Sequence, residues 1–186
     1  MEEEIRGYLQ PGEHLFWWGR PQQGLLITSR DIFMVPFSFV WAGFALSIFL
    51  SGLHGPVPPF PFLLVGGLFS VLGLYIAVGR FIVDAWLRRN TTYGLTDRRV
   101  LIARTGPWGN FTALQLDRLP SISLRERSNG RGTIRFGDPA YSGWPMRSNS
   151  FGSWMPSLDP TPQFLGIEDV RRVFNEIQGR SRPAGA

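Results

Sequence analysis

Hydrophobic positions along this chain fall into two regimes. From Ile32 to Gly79 they form two nearly unbroken runs, and from Thr91 onward they alternate with polar residues in short segments. The first run, Ile32–Leu53 (IFMVPFSFVWAGFALSIFLSGL), carries no charge. As helix it extends about 33 Å, against about 30 Å of bilayer hydrocarbon. The second run, Phe60–Gly79 (FPFLLVGGLFSVLGLYIAVG), is also uncharged and extends about 30 Å. Neither has the polar face of a surface helix. The pattern predicts transmembrane helices over 32–53 and 60–83, joined by an external loop over 54–59. The first run begins behind an acidic MEEE start with no basic segment beside it, unlike a secretory signal.

The small residues Gly43, Ser47 and Ser51 recur at four-residue spacing, as do Gly66 and Ser70. Such rows let two helix backbones approach, either within the hairpin or between copies of the chain. Among the aromatic residues Trp41, Tyr75 and Trp86, only Trp86 sits where an interfacial anchor is expected. Asp84 lies four residues from both Arg80 and Arg88, so it can pair with either on one helix face.

Beyond the runs, TTYGL, VLIAR, FTALQL, SISLRER and TIRFG read as strands separated by turn chemistry at TDRR, TGPWGN, DRLP and SNGRG. Ile122 and Leu124 fall on one side of their strand, and Ile134 and Phe136 on one side of theirs. Repeated short strands suggest a sandwich or barrel. Residues 138–162 lack periodicity and hold Tyr141, Trp144, Phe151, Trp154 and Met155 among Gly, Ser and Pro. An amphipathic helix is expected over 167–178, with Ile167, Val170, Val173, Phe174 and Ile177 on one face. Glu168 and Asp169 suit its first turn and Gly179 its stop. The tail 181–186 is expected to fray.

Charge changes the picture by orienting it. Residues 1–87 carry four Arg and six acidic side chains, and 88–186 carry fifteen and eight, giving about −2 and +7. The link between the runs has no Arg, while Arg20, Arg30, Arg80, Arg88 and Arg89 flank them. The positive-inside rule then places both termini in the cytoplasm. Arg88–Arg89 mark the membrane exit, and Arg98–Arg99 sit in the first turn of the β-domain. There is no Cys and only two His, His14 and His54, on opposite flanks of the first run. That argues against disulfides, zinc sites and His-based triads.

The order LQPGEHLFWWGRP, two spans, RRNTTYGLTDRRVLIA, a run of strands, NGRGTIRFG and a final helix resembles the bacterial pleckstrin-homology-like family of membrane-anchored proteins. Its most specific segments are Tyr93–Val100 and Gly130–Ile134. The resemblance implies a strongly bent β-barrel capped by a C-terminal helix over a domain of 88–180. It also implies that Glu13–Arg20, within a cytoplasmic segment 1–31, supplies an early strand, so that the hairpin is inserted into the domain. It places the chain in the bacterial plasma membrane.

No catalytic signature is visible. SNGRGTI lacks the Gly-Lys-Ser/Thr ending of a phosphate loop, Gly-x-Ser-x-Gly is absent, and no pair of carboxylates has acid/base spacing. No cofactor is implied, and no recognition helix suggests nucleic acid. Two spans without interior charges or broken helices make a poor transporter. The expected role is a membrane-tethered, non-catalytic module that binds another membrane protein. The alternative is recognition of anionic lipid headgroups by Arg98, Arg99, Arg104, Arg125, Arg127, Arg131 and Arg135, since arginine forks suit phosphate. The candidate contact residues are Arg98, Arg99, Arg104, Trp144 and Trp154.

Overall fold

The computed structural model describes residues 2–27, 31–54, 60–119, 121–137 and 155–181. The chain divides into two compact units, Leu25–Val83 on its own and Met1–Gly24 together with Asp84–Ala186.

The first unit holds the apolar runs. Helix α2 (Asp31–Leu53) lies against α3 (Phe60–Leu74), which passes through a π-turn at Tyr75–Gly79 into α4 (Arg80–Arg89). Both helical stretches, Asp31–Leu53 and Leu63–Arg89, are long and apolar enough to cross a membrane, and only 11% and 17% of their apolar windows are buried. A core helix of a water-soluble domain would be mostly covered. Here Phe33, Val40, Phe44, Leu68 and Val71 are exposed.

Close approach of the two helices uses glycine. A Cβ at Gly73 would stand 2.9 Å from that of Ala42, and one at Gly66 would meet Phe49 at 3.5 Å. The expected row Gly43–Ser47–Ser51 is not in this seam. Gly43 faces open space, and the Ser47 and Ser51 hydroxyls turn back to donate to the carbonyls of Phe44 and Ser47. The larger contact residue Phe49 packs against two adjacent glycines, Gly66 and Gly67, and so sets the helix rotation.

Among the described residues, the second unit contains a helix α1 (Glu2–Arg6), seven strands and helix α5 (Val170–Ser181). Strands β1 (Leu15–Gly19), β2 (Thr91–Thr96), β3 (Arg99–Arg104) and β4 (Asn110–Gln115) form one antiparallel sheet in that order. Strands β5 (Ile122–Glu126), β6 (Gly132–Phe136) and β7 (Gln163–Ile167) form a second. β1 pairs with β2 through Trp17↔Leu95 and Gly19↔Tyr93, so the sheet joins segments from both sides of the apolar unit.

The main core lies between the sheets and α5, around Leu95, Val100, Ile134, Phe136, Phe164 and Ile177. Phe164 is its aromatic centre, with Tyr93 at 4.7 Å and Phe136 edge-on at 5.2 Å. β2 is buried along its whole length. Tyr93 and Leu95 face that core, while α1 drops Ile5 onto the opposite face, beside Leu101 and Ala103. Gly94 makes room for it, since a Cβ there would lie 3.1 Å from Ile5.

Three expectations need correction. The ladders do not close into a barrel among the described residues. On the β7 edge the Leu165 N–H donates to the buried Tyr93 hydroxyl, and the Leu165 carbonyl accepts from the Gln22 N–H. No ladder position at Leu165 is left for β1. At the other seam, the 3₁₀ turn Leu116–Arg118 buries Leu116 and turns the chain away before β5. Second, the last helix begins at Val170, not Ile167. Ile167 pairs with Gly132 in β7, and Asp169 adopts a left-handed φ of 46° that marks the turn between strand and helix. Glu168 and Asp169 belong to that turn. Third, the helix runs through the exposed Gly179 to Ser181, because one solvated glycine costs only about 1 kcal/mol. Trp144 and Trp154 lie outside the described residues.

Candidate functional site

The arginines bracketing β2 are the natural place to look for function, and the structure splits each pair. Arg88 points inward and is 1% exposed. Its guanidinium donates to the Asp84 carboxylate at 2.9 Å and to the carbonyls of Gln22 at 2.5 Å and Gly24 at 2.6 Å. Asp84 in turn accepts from the Ser157 N–H at 3.2 Å. Arg88 thus ties the chain entering the apolar unit to the helix leaving it. Arg89, one position on, is exposed. Arg80 pairs with Asp31, and both are buried.

At the far end of β2 the pattern repeats in reverse order. Arg98 is exposed, with its side chain 59% accessible and Asp97 loosely beside it at 3.8 Å. Arg99 turns in and clamps Glu13 through two nitrogens, each at 2.8 Å. Glu13 also accepts from the Thr96 hydroxyl at 2.7 Å and the Gln10 N–H at 2.7 Å. The Arg99 guanidinium and these donors hold the Glu13 carboxyl down at about 2. The same carboxylate raises the pKa of Arg99.

Arg104 sits opposite Thr91 at the start of β2 and donates to the Ser157 carbonyl at 2.6 Å. Burial lowers its pKa, and burial also raises that of Tyr93. Of the described candidates, then, Arg99 and Arg104 are engaged inside the domain and Arg98 alone projects into solvent. The three are not brought together. β2 is six residues long, so Arg98 stands about 20 Å from the end where α4 arrives and Arg104 lies.

Several other arginines are also paired, Arg131 with Glu168, Arg135 with Asp159 and Arg171 with Glu126. Among the described residues, no cluster of three His, Cys, Asp or Glu side chains could hold a metal ion.

One concavity of this unit is an open groove of about 640 Å³ between the end of β1, residues 20–23, the end of β7 and the start of α5. Its lining mixes Trp17 and Trp18 with Arg20, Arg172, Glu168 and Asp169. The Arg20 Nε and the Gln22 Oε1 are buried with no hydrogen-bond partner among the described residues. The sequence does not single out this groove, because its parts lie some 150 positions apart in the chain and come together only on folding, through contacts such as the Gln22–Leu165 hydrogen bond and the Trp17–Phe164 ring contact. Glu13 was equally silent as a lone carboxylate ahead of a strand.

Comparison with protein-family models, with curated proteins and with solved structures finds no match to this chain in any of the three.

Proposed function

We propose that this chain is a membrane-tethered, non-catalytic interaction module. Its two apolar helices cross the bilayer as a hairpin, and its sheet domain, of pleckstrin-homology-like type, stands at the cytoplasmic face and binds another protein in the membrane. The setting is a bacterial plasma membrane with both termini inside. The observation that carries the tether is the exposure of Phe33, Val40, Phe44, Leu68 and Val71 on helices of spanning length. The two sheets of four and three strands followed by a helix support the domain type.

The choice of a protein over a lipid rests on where the charge goes. Arg99 and Arg104 are spent on Glu13 and on Ser157, while the groove beside Trp18 offers both signs of charge and an exposed aromatic edge. Mixed charge around Trp and Arg suits a polypeptide surface better than a run of phosphates. A photo-crosslinking amino acid placed at Trp18, at Glu168 or at Arg172 in cells should capture one membrane protein, and one placed at Arg118 should not. Equal labelling from all four positions, or from none, would overturn this reading.

A further inference from the structure

Trp108 is a large apolar side chain with no evident reason to be where it is. It occupies the tip of the β3–β4 hairpin, and 61% of its surface is exposed. Gly106, Pro107 and Gly109 around it are exposed too, and no charged residue occurs from Thr105 to Leu116. The tip is nevertheless held in place. Thr105 N–H donates to the Asn90 carbonyl at 2.8 Å, and the Trp108 ring meets Trp86 edge-on, with centroids 5.6 Å apart. Gly106, at a φ of 96°, bends the loop toward Trp86 with a conformation that other residues rarely adopt.

Trp86 belongs to α4, which continues the second apolar helix. Its last apolar residues before the buried Asp84 are Ile82 and Val83. Three residues of helix rise put Trp86 about 4.5 Å beyond Val83. The polar interfacial layer on each side of a bilayer is about 5–7 Å deep. Trp is enriched in that layer because its ring is apolar and its indole N–H finds a polar partner there.

We propose that the β3–β4 tip is a second membrane contact, with Trp108 and Trp86 forming one aromatic anchor in the interfacial layer beside the helix exit. The occupant of this surface is the lipid bilayer. The inference rests on the tether reading and adds to it an orientation: the Trp108 end of the sheet faces the lipid, and the Arg98 end faces away. A contact that uses an uncharged tip needs no anionic headgroup.

The absence of native cysteine makes the test direct. Single cysteines replace Val40 on α2, Pro107 beside the tip, and Arg98 at the far end. Each carries an environment-sensitive fluorophore in the full chain reconstituted into phosphatidylcholine vesicles, with and without nitroxide-labelled lipid. Pro107→Cys leaves both tryptophans in place. The expected result is a blue shift and loss of most emission at positions 40 and 107, with neither change at 98, and recovery of emission at 107 when Trp108→Ser is added. Quenching at 40 without quenching at 107 would overturn the anchor and leave the tether standing. Quenching at 98 in place of 107 would reverse the orientation and overturn it as well. No quenching at 40 would remove the tether and the anchor with it.

Discussion

The two ends of β2 solve one problem in different ways. Each carries an arginine pair, and each sends one arginine in and one out. At the end that meets α4, Arg88 has one carboxylate and two backbone carbonyls as acceptors and is almost fully enclosed. At the other end, Arg99 has a bidentate carboxylate and keeps some contact with water. The difference teaches what each arginine is for. Arg88 satisfies carbonyls of residues 22 and 24 where the chain leaves the sheet and has no ladder partner, a backbone task that no carboxylate can perform. Arg99 fastens the Glu13 turn, and with it α1, against the sheet.

Removing Arg88 is the harshest way to break this comparison. Arg88→Met leaves Asp84 buried with only the Ser157 N–H and strands two carbonyls. Breaking a buried pair on one side costs about 3–5 kcal/mol. The unfolding temperature of the full chain in detergent should fall by about 6–20 °C, given roughly 2–4 °C per kcal/mol for a chain of this size. A fall of only a degree or two would show that water reaches these groups.

Glu13→Gln tests the other end and should cost less, on the order of 3 kcal/mol at neutral pH. The sign follows from the lowered pKa. Glu13 moves from 4.5 to about 2 on folding, so its stabilisation is complete above about 4.5 and is lost as pH falls toward 2. Wild type should therefore lose stability through that window, and the Gln variant should show a flatter acid profile. Parallel profiles for the two proteins would mean that Arg99 does not hold Glu13 in solution.

These clamps also mark the limit of what the sequence conveys. The apolar runs are legible because a helix long and apolar enough to cross a roughly 30 Å hydrocarbon layer needs an uncharged stretch of fixed length, and length and charge are read directly from the chain. The strands around Ile134 and Phe136 are legible because alternation is local. β7 was missed because QFLGI offers only five residues after an aperiodic stretch, and because Ile167 fits the helical face of Val170, Val173 and Ile177 equally well. Partnership is not local either. In Arg-Arg, nothing at positions 88, 89, 98 or 99 says which side chain turns inward. Glu13 and Gln22, which decide it, are more than 60 residues upstream. The candidates Arg98, Arg99 and Arg104 thus looked equivalent as a basic set and are three different things in space.

Arg98→Ala is the smallest expected effect and sharpens the comparison most, because its neighbour Arg99 is the internal control. Its side chain is 59% accessible, and its nearest carboxylate is at 3.8 Å. Exposed pairs of this kind contribute about 0–1 kcal/mol, and surface substitutions away from special features stay within about 0.5 kcal/mol. Arg98→Ala should then leave the unfolding temperature unchanged, while Arg99→Ala should lower it by an amount close to that of Glu13→Gln. The double variant Arg99→Ala with Glu13→Gln should cost less than the sum of the two, because the second change removes a carboxylate already left without its partner. Arg98 could still serve a ligand without serving the fold. If anionic lipid raised the unfolding temperature of the wild type and not that of Arg98→Ala, the far end of β2 would be the lipid-facing end. The Trp108 anchor and Arg98 cannot both face the same leaflet from opposite ends of a 20 Å strand, so that single result would decide between them.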